Sequence, residues 1–179
     1  MDRDRAVRTF LERLDSLRGL PLVTDAEMAG LFGGEVAAAL AELDAVNRAG
    51  GICRRCREHC CRLVRCELYS PRFSNCPLYE LRPVVCRLHF CHRFPGATAS
   101  LMEDLSSIFF EAVLAAGRAG SPAAALFDCP PLGRVAPRLV AGAAPWMAGV
   151  RDGTVPPHRA EAAIREMAFA FHAAAGCVA

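Results

Sequence analysis

Lysine and glutamine are absent from this 179-residue chain, and all 21 basic residues are arginine. Spread over the whole length, that bias reads as a GC-rich coding sequence rather than as arginine selected everywhere for its planar fork. Aromatic residues make up only 7%, with one Trp and two Tyr, so a face for stacking on bases has little to draw on. No uninterrupted apolar run is long enough to span a bilayer. Residues 136–150 come nearest, but Pro137, Arg138 and Pro145 interrupt them. The opening MDRDRAVRTFLERLDSL alternates charged and apolar residues, and it has neither the apolar stretch nor the cleavage site of a secretory signal. A Gly-rich phosphate loop and a GxSxG elbow are missing too. These absences lead to the expectation of a cytoplasmic protein with no membrane partner, in a compartment where thiols stay reduced.

Hydrophobic residues account for 53% of the chain, many of them alanine, a composition that suits helices better than sheets. The expected fold is mainly α, with helices packed around a loop-rich cysteine-cluster metal site. It is read as one domain over residues 1–179: N-terminal helices in 1–50, a cysteine-cluster core in 51–95, and a helical part in 96–179. Val7, Phe10, Leu11, Leu14 and Leu17 recur at helical spacing within 2–18. Thr24 and Glu27 stand at capping-box positions for a helix over 25–49. Gly33 and Gly34 weaken or bend that helix, and Gly50 and Gly51 end it. Residues 101–116 and 158–175 predict two more helices, with Leu101, Leu105, Ile108 and Phe109 on one stripe and Ile164, Met167, Ala168 and Phe171 on another. Residues 117–157, rich in Gly, Pro and Ala, predict loops mixed with short helices.

Eight of the ten cysteines fall in residues 53–91: Cys53, Cys56, Cys60, Cys61, Cys66, Cys76, Cys86 and Cys91. Thiolates are soft anionic donors for zinc and iron–sulfur clusters, and pairs two to four residues apart can turn the chain back onto one ion. A single CxxC is weak evidence; eight thiols at this density point strongly to metal. Arginine concentrates in the same place. Between Arg48 and Arg93 there are ten arginines against Glu58, Glu67 and Glu80, whereas the rest of the chain is net acidic. Four thiolates on one Zn²⁺ leave a net negative centre, as does a thiolate-bound cluster. Arg54, Arg55, Arg57, Arg62 and Arg65 are expected to offset that charge and to lower the thiol pKa values. A polyanion facing these cations is the alternative; with Phe90 and Phe94 the nearby aromatics, a nucleic-acid partner ranks below it.

The run CxxCx3CCR followed by Cys76-Pro-Leu-Tyr-Glu-Leu-Arg-Pro-x-x-Cys86-Arg resembles the YkgJ-type cysteine-cluster family over about residues 51–94. Members of that family are described as zinc- or iron-chelating, and the family is related to the flagellin lysine N-methylase FliB. Tyr79, Glu80, Arg82, Pro83, Cys86 and Arg87 match the second half of the family pattern. Three residues rather than two separate Cys56 from Cys60, which leaves open whether Cys60 or Cys61 faces the metal. The resemblance implies a zinc ion or an iron–sulfur cluster, [4Fe–4S] being the expected cluster type. All eight cysteines of the segment are candidate ligands, and Arg82, Arg87, Tyr79 and His59 are candidate supports around them.

Residue chemistry adds detail. Pro83 fixes its own φ and biases Arg82 towards an extended backbone, which would hold Cys86 towards the ion. Arg82 and Arg87 can donate to thiolate sulfur or bind helix-end carbonyls or Glu80. His59, His89 and His92 are near enough in sequence to ligate, but with cysteine in such excess they read as surface or supporting groups. Cys129 and Cys177 read as core thiols outside the site, and Trp146 as a core or interface residue. Glu103, Asp104, Glu111 and Asp128 are acids expected on the solvated surface and are given no catalytic role. The functional expectation is metal chelation with a metal-handling, redox-sensing or docking role, a protein partner being compatible with the last. The alternatives are a FliB-like enzyme using an Fe–S centre in protein lysine methylation and a zinc-dependent nucleic-acid-binding module.

Overall fold

The computed structural model describes residues 1–17, 21–56, 62, 64–83, 86, 91, 93–120 and 132–176, and among these it is mainly helical. Asp2 starts α1 (Arg3–Arg13), its carboxylate accepting from the Arg5 amide at 3.0 Å. A 3₁₀ turn, Leu14–Leu17, follows. Thr24 starts α2 (Asp25–Phe32) through the reciprocal box with Glu27 that its sequence predicts: Thr24 Oγ1 accepts from the Glu27 amide, and the Glu27 carboxylate accepts from the Thr24 amide. The expected single helix over 25–49 is in fact two. Gly33 takes φ 95°, which only glycine adopts without strain, so α2 stops there and α3 (Gly34–Gly50) begins. Gly51, left-handed at φ 55°, ends α3 and turns the chain into the short α4 (Ile52–Arg55), which carries Cys53.

The helix expected over 101–116 is longer, α5 (Ala97–Arg118). A second difference lies further on. After the short α6 (Leu132–Val135), the stretch read as loops and short helices holds a sixteen-residue helix, α7 (Pro137–Asp152), with Pro145 inside it. Pro137 sits in its first turn, where a missing N–H costs nothing, and the packing of α7 on the last helix, α8 (Pro157–Gly176), carries it through Pro145. Among the described residues no helix is long and apolar enough to cross a membrane.

Two apolar cores result. The first joins Ala6 and Phe10 of α1, Met28, Leu31 and Phe32 of α2, Val36 and Leu43 of α3, and Leu105, Ile108 and Phe109 of α5. The Phe32 ring stacks on Phe10 at 4.7 Å and meets Phe109 edge-on at 4.7 Å; each such ring contributes roughly 1.5–3 kcal/mol by burial. Leu11, by contrast, lies on the exposed side of α1. The second core joins Leu68, Phe73, Leu78 and Leu81 to Leu139, Ala143 and Val150 of α7 and Ile164 and Ala168 of α8, with Trp146 packed against it. Polar bonds fasten the 64–83 segment to this second unit. The buried Glu161 accepts from the Ser74 amide at 2.6 Å, Arg72 donates to the Val150 carbonyl at 2.6 Å, and Glu67 accepts from the Gly133 amide at 3.0 Å.

Candidate functional site

The two halves of the cysteine pattern reach the site from different cores. Cys53 and Cys56 follow α3, whose inner face belongs to the first core. Cys66 and Cys76 pack against the second core, and Cys91 against the first. Among the described residues, tight turns follow several of these positions. The carbonyls of Cys53, Cys66, Cys76 and Pro83 each accept from the amide three residues on, at 2.9–3.2 Å. Arg65, at φ 50°, supplies a left-handed step unusual for a residue with a side chain just before Cys66. Leu22 pairs with Pro83 in one antiparallel bridge, and the Val23 amide donates to the Arg82 carbonyl at 3.2 Å. Arg82 therefore has the extended backbone expected for the residue before a proline.

This folding brings Cys53, Cys56, Cys66, Cys76, Cys86 and Cys91 onto one cavity of about 550 Å³. None of the six is in a disulfide. The cavity reaches α3 at Leu40, Leu43, Asp44, Asn47 and Arg48, and α8 at Arg165. Among the described residues, no three Cys, His, Asp or Glu side chains converge closely enough to grip one ion. Cys60 and Cys61, with His59, His89, His92 and Arg87, lie outside the described residues, as do Cys129, Cys177, Asp128 and Phe90. Phe94 is buried in the first core. Glu103 and Asp104 are exposed, and Glu111 pairs with Arg3 at 3.2 Å.

A polar brace that the sequence reading missed runs along one side of the cavity. Tyr79 donates its hydroxyl proton to Asp44 Oδ1 at 2.7 Å and accepts from Asn47 Nδ2 at 2.6 Å. The other end of the Asn47 amide, Oδ1, accepts from the Cys53 amide at 2.8 Å. One buried asparagine thus ties the start of the CxxC pair to the Tyr-Glu-Leu-Arg-Pro segment. A signal for it was present: Val36, Ala39, Leu43 and Asn47 share the buried face of α3, so Asn47 is a polar residue on an apolar stripe, and such residues are kept where they are satisfied.

Arg82 stands over the Tyr79 ring, 4.5 Å from its centroid, a cation–π contact. Burial pushes the Cys53 thiol up from its ordinary pKa; the Arg82 charge pulls it back, while Cys91, Cys56 and the Asp44 carboxylate add to the rise. At Cys53 this departs from the expectation that the neighbouring arginines lower the thiol pKa. The main cation acting on Cys53 comes from the second half of the pattern, and desolvation outweighs it. Arg55 instead donates to the Gly50 carbonyl. Burial and donation to Asp44 raise the Tyr79 phenol well above its usual range, so it keeps its proton at neutral pH and works as a donor. Glu80 faces Arg165 at 3.7 Å.

In comparison with known proteins, the chain matches no family model, no curated protein and no solved structure.

Proposed function

We propose that the protein chelates a zinc ion or an iron–sulfur cluster through the thiols of the cavity, in a metal-handling, redox-sensing or docking role. The observation that carries this reading is the meeting of six cysteines, scattered over residues 53–91, on one cavity. The donor set fits either group, since both take thiolate sulfur. Arg82, the cation that acts on Cys53, helps to offset the charge the thiolates acquire, and the Asp44–Tyr79–Asn47 brace fixes the Cys53 backbone and the ring beneath Arg82. Because the described thiols line the cavity without converging, they must close around whatever they hold, as ligands commonly do when binding completes a site. The resemblance to the YkgJ-type family supports the same reading.

The cavity also favours a second reading. Its volume falls within the roughly 300–1,000 Å³ of small-molecule pockets, which suits a FliB-like enzyme acting beside the centre. Calorimetry with S-adenosylmethionine tests that version, and no heat of binding would remove it.

The primary reading is tested by differential alkylation. Protein purified without oxygen is treated with iodoacetamide, with and without a strong chelator, and the labelled cysteines are located by mass spectrometry. Cys53, Cys56 and Cys91 should resist labelling until the metal is stripped. Equal labelling of every cysteine before and after chelation would reject the reading.

A further inference from the structure

The thiols occupy part of the cavity, and two arginines in its lining point to a second kind of guest. Among the described residues, two side-chain polar atoms are buried without a hydrogen-bond partner: Nε of Arg82 and Nε of Arg165. Both arginines line this same cavity. They come from unrelated parts of the chain: Arg82 follows the Tyr79–Leu81 turn, and Arg165 lies on α8, which packs on that turn. A buried N–H without an acceptor is destabilising, and a coincidence of two at one cavity calls for an acceptor brought by a ligand. Three acids also line the cavity: Asp25, Asp44, which accepts from the Tyr79 hydroxyl, and Glu80, which forms an ion pair with Arg165 at 3.7 Å, too long for a hydrogen bond to Nε. Arg48 and Arg54 add positive charge to the lining, and Leu40, Leu43 and Leu78 add apolar surface.

We propose that this cavity binds a small organic oxyanion, a carboxylate- or phosphate-bearing molecule, through the guanidinium groups of Arg82 and Arg165. An oxyanion offers two or more acceptor oxygens, which the planar arginine fork meets in pairs. Its apolar body would rest on the leucines. The proposal does not depend on which metal the thiols hold, or on whether they hold one.

The test is a calorimetric titration of the full-length protein, as isolated without oxygen, with benzoate and separately with inorganic phosphate, at ionic strength held constant with sodium chloride. Arg82→Met and Arg165→Met keep the side-chain stem and remove the guanidinium; circular dichroism confirms that each variant is folded. Saturable binding of at least one probe, weakened about tenfold or more in both variants as expected for loss of a charge-assisted hydrogen bond, supports the site. Benzoate alone would assign a carboxylate with an apolar body; phosphate alone would assign a phosphate ester. No saturable binding of either probe, or binding unchanged in both variants, overturns the proposal. The alkylation result bears only on the thiols, so the two readings fail separately.

Discussion

Glu27 Oε2 accepts from the amide and the hydroxyl of Thr24 and lies 2.9 Å from His172 Nε2, tying the start of α2 to α8. Burial pulls this carboxyl up, but the Thr24 hydrogen bonds and the His172 contact outweigh it and hold Glu27 below its ordinary pKa. A carboxyl lowered by folding stabilises the protein above its unfolded value, about 4.3. That contribution is lost as pH falls through the lower folded value. The stability gap between wild type and Glu27→Gln, read from urea midpoints, should therefore be widest at neutral pH and shrink from about pH 4.3 downward. A gap that stays constant would show that the carboxylate contributes nothing through its charge. Asn47 gives a second prediction at this scale. Asn47→Ala leaves the Cys53 amide without its acceptor and Tyr79 without its donor, a loss of about 1–3 kcal/mol. Because Asn47 and Tyr79 share one hydrogen bond, Asn47→Ala and Tyr79→Phe should cost less together than the sum of their separate losses. Strict additivity in a double-mutant cycle would contradict the brace.

At the scale of elements, α7 tests how far packing overrides local preference. Pro145 lies inside it, and proline in a helix interior is roughly 3 kcal/mol less favourable than alanine before the surroundings adapt. Pro145→Ala should accordingly raise stability, by about 1–3 kcal/mol in chemical unfolding; a loss of stability would mean that the proline shapes the helix to its seat on α8. This helix is also where the sequence misled most. Pro137 and Pro145 argue against a long helix by local chemistry, and only tertiary packing reverses them. Where local chemistry and packing agree, the sequence was readable: Thr24 and Glu27 announced the start of α2, and the apolar stripes of α5 and α8 announced their buried faces. The break at Gly33 was half-read, because a glycine pair bends or divides a helix according to the φ it adopts. At the site, cysteine spacing identified the thiols. It gave no hint of Asp44, Asn47 or Arg165, which arrive from helices outside the pattern.

At the scale of the whole molecule, two apolar cores each build part of the cysteine-lined cavity, Cys91 packing against one and Cys66 and Cys76 against the other. A metal bound by thiols from both sides would couple the two cores and add its binding energy to folding. Removing it should lower the thermal midpoint, and restoring it should reverse that change. The central claim, that the thiols hold metal, is tested most directly by the metal content and visible absorption of protein purified without oxygen. The account predicts either colourless protein with about one or two zinc ions per chain, or brown protein with iron and matching sulfide. Colourless protein with only traces of metal and fully titratable thiols would contradict it.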